Sequence, residues 1–199
     1  MTQLATRINN LKEGQILFVS DLTDIYDSEK VASRALSVEE KKGSLIRLAN
    51  GIYLRPKMTR FGPLYPSVDE MVKAIAKRDK ADVIPCGATA LNVLGFSTQV
   101  PTSYTFLTTG SGRKLRLGNV TVELRRSVPR NFAFRTKLVS LLVQALKSLG
   151  FGNISDSDIH VIRSLFANEP NKRALISDIS LMPAWMKSLI QSNNLIATS

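Results

Sequence analysis

Hydrophobic residues recur every three to four positions over the first eleven residues, which predicts one buried face of a helix. These residues are Leu4, Ile8 and Leu11. Gly14 follows and predicts the end of this helix. The run QILFVSDL then predicts a short strand, after which Ser20 and Asp21 are suitable N-cap residues for a short helix through Ile25. We therefore expect the chain to open with a helix, a short strand and a short helix.

A longer amphipathic helix is predicted to begin at Ser28, because its hydroxyl can accept hydrogen bonds from the free N–H groups of the first turn. At about 3.6 residues per turn, its core side is predicted to hold Val31, Ala32, Ala35 and Val38, with Leu36 at the edge. The opposite side carries Lys30, Ser33, Arg34, Ser37 and Lys41. Side chains of these types contact phosphates and base edges, and arginine can form two bonds to guanine. This helix is the candidate DNA-reading element.

Two glutamates near the end of this helix do not fit a DNA-facing surface. Glu39 lies close to the predicted apolar side, and Glu40 lies beside the basic side. Either the helix frays after about Val38, or this end lies away from the DNA. The sequence leaves both alternatives open.

A β-hairpin is predicted directly after this helix. The β-rich runs SLIRLA and IYLR are separated by Asn50-Gly51, the pair of residues best suited to a type I′ turn. Arg47, Asn50 and Arg55 belong to this hairpin. A helix-turn-helix followed by a hairpin has the order of a winged helix, whose second helix enters the major groove while the wing contacts the backbone or the minor groove.

The rest of the chain predicts a second domain. GPLYPS has the proline and glycine content of a linker or of a loop at a domain edge, so we place a boundary between a DNA-binding domain, residues 1–60, and a second domain, residues 61–199. A helix is predicted to begin with the capping-box spacing of Ser67 and Glu70. Strands are predicted at DVIP and SYTFLTTG, and a hairpin at RKLRLGNVTVELRR. Leucines from Leu138 to Leu149 predict a helix that Gly150 ends, and two or more helices follow. The predicted fold is α+β: an N-terminal winged helix-turn-helix, then a mixed α/β domain with a helical C-terminal end.

The charge of the chain indicates a polyanionic partner. Lysine and arginine number 27 against 16 aspartates and glutamates, a formal net charge of +11, and such a surface attracts nucleic acid. One basic cluster falls between Ser28 and Arg60. A second basic patch comprises Arg113, Lys114, Arg116, Arg125 and Arg126. This patch could bind DNA, RNA or an acidic protein, or it could simply be solvated. A role with DNA or with a partner protein is favoured, and the sequence does not separate these two.

The composition argues against a metalloprotein or an enzyme. One cysteine, Cys86, and one histidine, His160, are too few for an internal disulfide or a typical structural zinc site, and no nucleophile–base pair is evident. TTGSGRK lacks the spacing of a phosphate-binding P-loop. Asp156 and Asp158 suit a helix N-terminus, although a nuclease with dispersed carboxylates is an alternative. We therefore predict no catalytic residues, no metal and no cofactor.

The hydropathy pattern indicates a cytoplasmic protein without a membrane partner. No apolar run approaches the roughly 20 residues that cross a bilayer. The N-terminal stretch MTQLATRINNLKEG also lacks the apolar core of a signal peptide.

Several of these segments together resemble a known family. The segments RALS, KKGSLIRLANGIYLRP, FGPLYPS, GATALNVLGFSTQVP, YTFLTTG and RKLRLGNVTVELRR are similar to stretches of the bacterial AbiEi-like antitoxins, in particular a compact subgroup of about this length. The resemblance runs from about Ile16 to MPAWM, residues 182–186, and LGFSTQVP is its most specific block. The chain departs from the family at residues 38–40, where relatives tend to carry Arg-Leu and an apolar residue. This departure bears on how far the recognition helix extends.

The resemblance implies an antitoxin of a type IV toxin–antitoxin system. Its winged helix would bind double-stranded promoter DNA as an autorepressor, and its second domain would neutralise a neighbouring nucleotidyltransferase-like toxin, with or without direct contact. The oligomeric state on DNA stays open. Two rival hypotheses are a stand-alone winged-helix regulator, whose second domain senses a ligand or dimerises, and an enzyme that acts on nucleic acid.

Overall fold

Helices and short strands alternate in the first part of the chain. The computed structural model describes residues 2–196. Its first elements are α1 (Gln3–Asn10), β1 (Ile16–Phe18), a 3₁₀ turn (Val19–Leu22), α2 (Glu29–Lys41), β2 (Ile46–Ala49) and β3 (Ile52–Leu54). The three strands form an antiparallel sheet in the order β1-β3-β2.

One hydrophobic cluster joins these elements. Its fully or almost fully buried members include Leu4, Ile8, Leu22, Ala32, Leu36 and Tyr53. Because they come from α1, the 3₁₀ turn, α2 and β3, burial of their apolar surface holds both helices against the sheet. The predicted inward positions Leu4 and Ile8 are confirmed.

The geometry differs from the predictions at two turns. α1 has Leu11 as its C-cap, so Gly14, with φ at 81°, lies in the turn before β1 and does not end the helix. The short helix predicted from Ser20 through Ile25 is a 3₁₀ turn that begins at Val19. The carboxylate of Asp21 accepts a hydrogen bond from the backbone N–H of Phe18 at 2.9 Å, so Asp21 caps this turn from inside it.

A two-stranded sheet and a helix follow β3. β4 (Lys57–Thr59) pairs antiparallel with β5 (Gly62–Leu64), so the linker predicted at GPLYPS is wrong for residues 62–64. Pro63 is tolerated because both strands of such a sheet are edges. The predicted capping box of α3 (Val68–Arg78) is confirmed, since Glu70 Oε2 accepts from the backbone N–H of Ser67 at 2.8 Å. Hydrogen bonds from Ser67 lower the pKa of Glu70 below its ordinary value.

The remaining elements confirm strands followed by a helical C-terminal end. They are β6 (Val83–Pro85), α4 (Ala88–Val93), β7 (Ser103–Thr108), β8 (Arg113–Leu117), β9 (Val120–Arg126), a 3₁₀ turn (Pro129–Phe132), α5 (Lys137–Leu149), α6 (Asp156–Asn168), α7 (Lys172–Ser180) and α8 (Ala184–Ser192). The four strands form one sheet in the order β6-β7-β9-β8. The mixed α+β fold class predicted from the sequence is therefore confirmed. Within residues 2–196, no helix is long and apolar enough to cross a bilayer.

The helices α5 to α8 surround a second hydrophobic core. Its fully or almost fully buried residues include Leu142, Leu146, Ile162, Phe166, Leu175 and Met186. A buried carboxylate, Asp178 of α7, lies at the N-terminus of α5. It accepts hydrogen bonds from the backbone N–H groups of Arg135 and Thr136 at 3.0 and 2.7 Å, and from Thr136 Oγ1 at 2.8 Å. This carboxylate ties α7 to the beginning of α5.

The chain divides into two compact units. The first comprises Met1–Arg78 and Leu115–Thr121, and the second comprises Asp79–Lys114 and Val122–Ser199. The division after Arg78 differs from the predicted boundary between residues 60 and 61, because the β4–β5 hairpin and α3 fall in the first unit. α3 contacts β1 within the first unit, because the guanidinium carbon of Arg78 lies 4.6 Å from the centroid of the Phe18 ring.

Candidate nucleic-acid interface

α2 is a continuous helix with a defined beginning. The hydroxyl of Ser28 accepts a hydrogen bond from the N–H of Val31 at 3.4 Å, as predicted, and the helix continues through Lys41. The alternative that the helix frays after Val38 is therefore wrong. The other alternative, that this end lies away from DNA, is untested, and the exposed side chain of Lys41 at this end of the helix speaks against it.

The buried face of α2 is rotated from the predicted one. The buried residues are Ala32, Leu36 and Glu39. Val31 and Val38 are 48% and 50% exposed, so their predicted core positions are wrong. Glu39 takes a core position instead, because its Oε1 lies 2.6 Å from Lys42 Nζ and this pairing offsets the cost of burying a carboxylate. With Glu39 inside, Leu36 is fully buried and the two valines face outward.

Three cations share the exposed face of α2. Lys30, Arg34 and Lys41 lie within roughly 40° of one another about the helix axis. All three are exposed, and none of their side chains forms a hydrogen bond or an ion pair with another described residue. Val31 and Val38 flank this row on one side. Such a surface suits DNA, because the cations can bind phosphate or guanine while the valines can contact thymine methyl groups.

The two serines predicted on this face differ in availability. Ser37 Oγ donates a hydrogen bond to the carbonyl oxygen of Ser33 at 2.9 Å and lies 3.4 Å from the hydroxyl of Tyr53. Ser37 therefore links α2 to β3 and is engaged within the fold. The hydroxyl of Ser33 contacts no other polar group in the part of the chain that the structure describes.

The turn between β2 and β3 is not of the predicted type I′. Gly51 has φ at 71°, whereas Asn50 does not adopt the positive φ that type I′ requires. The strand pairing shifts register between Arg47 and Ala49, and such a bulge supplies local twist. Arg47 Nη2 donates to Asn50 Oδ1 at 3.0 Å, so these two predicted site residues lie together at the exposed turn.

Arg47 extends from the sheet on the side that α2 covers. It lies opposite Tyr53 in the β2–β3 register, and directly opposed residues of an antiparallel pair point to the same face. The hydroxyl of Tyr53 lies beside Ser37 of α2. The arginine of the hairpin and the helix therefore lie on the same side of the first unit.

Arg55 has a structural role that the sequence did not predict. Its Nη1 donates to the carbonyl oxygens of Ile8 at 2.9 Å and Asn9 at 2.5 Å, and it also donates to that of Leu11. These carbonyls form the C-terminal end of α1, where a cation is favoured by the helix dipole. The guanidinium predicted to contact DNA from the wing is thus engaged with the protein.

We expect Arg55→Ala to lower the free energy of unfolding by about 2 kcal/mol, because several carbonyls lose a charged donor. Urea denaturation followed by circular dichroism measures this change. Arg47→Ala is the matched control, since among the described residues the side chain of Arg47 hydrogen-bonds only to exposed Asn50. Equal stability of the two variants would show that Arg55 does not support α1.

The second basic patch is partly neutralised. Arg113 pairs with Asp79, Arg125 Nη2 lies 2.8 Å from Glu123 Oε2, and Lys114 Nζ lies 3.9 Å from Glu123 Oε1. Hydrogen bonding and attraction from Arg125 lower the pKa of Glu123 below its ordinary value. Arg116 belongs to the first unit and Arg126 to the second. Among the described residues, only these two of the five predicted patch residues have no acidic partner.

The residues considered for catalysis have ordinary surroundings. Burial raises the pKa of the Cys86 thiol above its ordinary value, which keeps it protonated at neutral pH. His160 is exposed on α6, and Asp158 caps that helix by accepting from the N–H of Ser155 at 2.8 Å. From residue 2 to residue 196, no three side chains of His, Cys, Asp or Glu come together as metal ligands.

The second unit contains an open cavity of about 650 Å³ next to the beginnings of α5 and α7. Three exposed cations line it, namely Arg135, Lys137 and Arg173. The cavity also has one acidic residue, Glu169, at its edge. A cavity with this lining can hold an anionic small molecule by charge attraction.

Comparison with known proteins gives a family without an assigned role. No curated protein matches the chain significantly. Residues 3–174 match a family described as a family of unknown function, DUF6088. Since this match extends over far more than half of the 199 residues, the chain belongs to the DUF6088 family.

Proposed function

We propose that the first unit is a winged helix-turn-helix that binds double-stranded DNA, with α2 as its recognition helix. The row of Lys30, Arg34 and Lys41 carries this proposal, because unpaired cations on one exposed helix face attract phosphate and can bond guanine. The β2–β3 hairpin acts as the wing, with Arg47 and Asn50 at its turn. Arg55 is left out of the interface because it caps α1.

The charge distribution supports a nucleic-acid partner. A net charge of +11 attracts DNA from a distance and raises the association rate. On α2, the carboxylate of Glu39 is buried against Lys42, which removes one of the two glutamates that seemed to oppose DNA. Glu40 lies beside the cation row, on the edge opposite Val31 and Val38, and not within the row.

The wider role that we propose is that of a cytoplasmic antitoxin that represses its own promoter. The resemblance to the AbiEi-like antitoxins supports this role. In this proposal, the first unit binds repeats upstream of the gene, and the second unit neutralises a nucleotidyltransferase-like toxin encoded nearby. The protein itself needs no cofactor and catalyses no reaction.

Fluorescence anisotropy tests the DNA-binding part of the proposal. A labelled duplex from the region upstream of the gene and a scrambled duplex are titrated with the full chain across a salt series. Rising salt should weaken both complexes, because phosphate contacts release counterions. We expect the upstream duplex to bind tens of times tighter or more at every salt concentration, on the order of the discrimination that base-specific contacts give. Equal binding of the two duplexes would contradict the proposal.

Co-expression with the product of the adjacent gene tests the antitoxin part. We expect that product to stop growth when expressed alone and to be harmless together with this chain. A harmless neighbour would favour a stand-alone regulator instead. The cationic cavity lined by Arg135, Lys137 and Arg173 supports that second candidate, since a regulator needs a place to bind a signal molecule.

A further inference from the structure

The β4–β5 hairpin ends in a two-residue loop that presents a cation and an aromatic ring. Thr59 pairs with Gly62, so Arg60 and Phe61 alone form the loop. The guanidinium carbon of Arg60 lies 4.6 Å from the centroid of the Phe61 ring. The two side chains therefore extend from the tip as one unit.

Hydrogen bonds hold this tip in a defined shape. Thr59 Oγ1 donates to the carbonyl oxygen of Gly62 at 2.7 Å and accepts from the backbone N–H of Phe61 at 3.2 Å. Gly62 supplies a φ of 108°, which a residue with a side chain would adopt only with strain. A preorganised tip loses little conformational freedom when it binds.

The hairpin exposes apolar surface that a protein normally buries. Phe61 is 86% exposed and Met58 is 67% exposed, and Leu64 and Tyr65 are about half exposed. Met58 pairs with Pro63 and Leu64 pairs with Lys57, so these two lie on opposite faces of the hairpin, and Phe61 at the tip is the most exposed of the four. The same stretch carries positive charge, because residues 56–68 include Lys57 and Arg60 but no aspartate or glutamate. Both properties together favour a polyanion that also offers an apolar contact.

We propose that the Arg60-Phe61 tip inserts into the minor groove of duplex DNA and wedges Phe61 between two base pairs. This inference rests on the proposed DNA-binding function and adds a second contact to it, separate from α2. The side chains of a two-residue tip can enter a groove about 6 Å wide, whereas the two-stranded ribbon behind them stays outside it. Arginine is attracted to the negative potential of a narrow minor groove, and apolar wedges such as phenylalanine unstack a base step and kink the duplex. Lys57, on the strand behind the tip, is placed to contact phosphate.

The test measures DNA distortion directly. The upstream duplex carries 2-aminopurine at successive steps to report unstacking, and a dye at each end to report bending by energy transfer. The wild-type chain should raise 2-aminopurine fluorescence at one step and shorten the end-to-end distance. Phe61→Ala should lose both signals and bind about tenfold more weakly, because an aromatic contact with a base is lost. Phe61→Trp should restore them.

A matched control tests whether removing any exposed phenylalanine ring lowers DNA affinity and distortion. Phe151→Ala removes a phenylalanine that is 80% exposed in the second unit, and it should leave affinity and both signals unchanged. Suppose that the wild type prefers the upstream duplex, and that Phe61→Ala binds and distorts this duplex as much as the wild type does. The wedge is then overturned, while the proposed function stands. If the wild type binds scrambled DNA equally well and distorts neither duplex, both the proposed function and the wedge are overturned. Loss of binding to anionic vesicles by Phe61→Ala, with unchanged DNA binding, would overturn the wedge in favour of a lipid surface.

Discussion

Replacing Arg34 by alanine should weaken binding to the upstream duplex by about tenfold to a hundredfold and leave binding to scrambled DNA much less affected. Arg34 lies between Lys30 and Lys41 along the exposed cation row of α2. Its side chain forms no hydrogen bond or ion pair with any described residue. A bidentate contact with guanine contributes about 1–3 kcal/mol of discrimination, which is lost with the guanidinium. Anisotropy titrations with both duplexes measure this difference.

A second substitution distinguishes base reading from phosphate contact. Arg34→Lys keeps the charge but cannot form the planar two-bond contact, so it should retain affinity for scrambled DNA and still lose discrimination. Arg173→Ala, an exposed arginine on α7, is the matched control and should bind the upstream duplex like the wild type. Wild-type affinity of Arg34→Ala would remove Arg34 from the interface.

Replacing Asp178 by alanine should lower the free energy of unfolding by about 3 kcal/mol or more. The carboxylate is fully buried and accepts three hydrogen bonds from Arg135 and Thr136 at the beginning of α5. Its removal leaves buried donors without partners, and each such group costs about 1–3 kcal/mol. Thr136 also accepts from the N–H of Val139, so the N-cap of α5 should loosen together with the contact to α7.

Urea denaturation followed by the fluorescence of Trp185 measures this loss, because Trp185 packs against the same hydrophobic core. Ser177→Ala changes the neighbouring exposed residue of α7 and should leave the unfolding midpoint unchanged. The stability of Asp178→Asn should lie between those of Asp178→Ala and Ser177→Ala, since an amide keeps one acceptor oxygen. A change below about 1 kcal/mol in Asp178→Ala would show that solvent replaces the lost carboxylate.

Local sequence signals predicted the helices well where capping and periodicity agree. Ser28 marks the beginning of α2, Ser67 and Glu70 form the predicted capping box, and Gly150 ends α5. These features depend on residues within one turn of each other, so neighbouring sequence contains the required information. The β4–β5 hairpin was missed because its loop, Arg60-Phe61, lacks the glycine or asparagine that normally signals a tight turn.

The exposure of the candidate site residues was predicted in part. Five of the residues predicted to lie on the surface are exposed, namely Lys30, Arg34, Lys41, Arg47 and Asn50. The exposure of Val31 and Val38 was missed, because the pattern treated every apolar residue as a core residue and every glutamate as a surface residue. The pair Glu39–Lys42, three residues apart, was the available signal that a carboxylate could be buried here.

Sequence alone thus establishes the main helices and most strands in their order, the net positive charge and the basic character of α2, since these follow from composition and local periodicity. Tertiary packing decided which face of α2 is free, that Arg55 caps α1, and that Asp178 joins α7 to α5. Each of these outcomes depends on partners more than ten residues away along the chain or on competition for the same core space. Contacts between distant residues form only when the chain is folded, so spacing along the sequence cannot specify them.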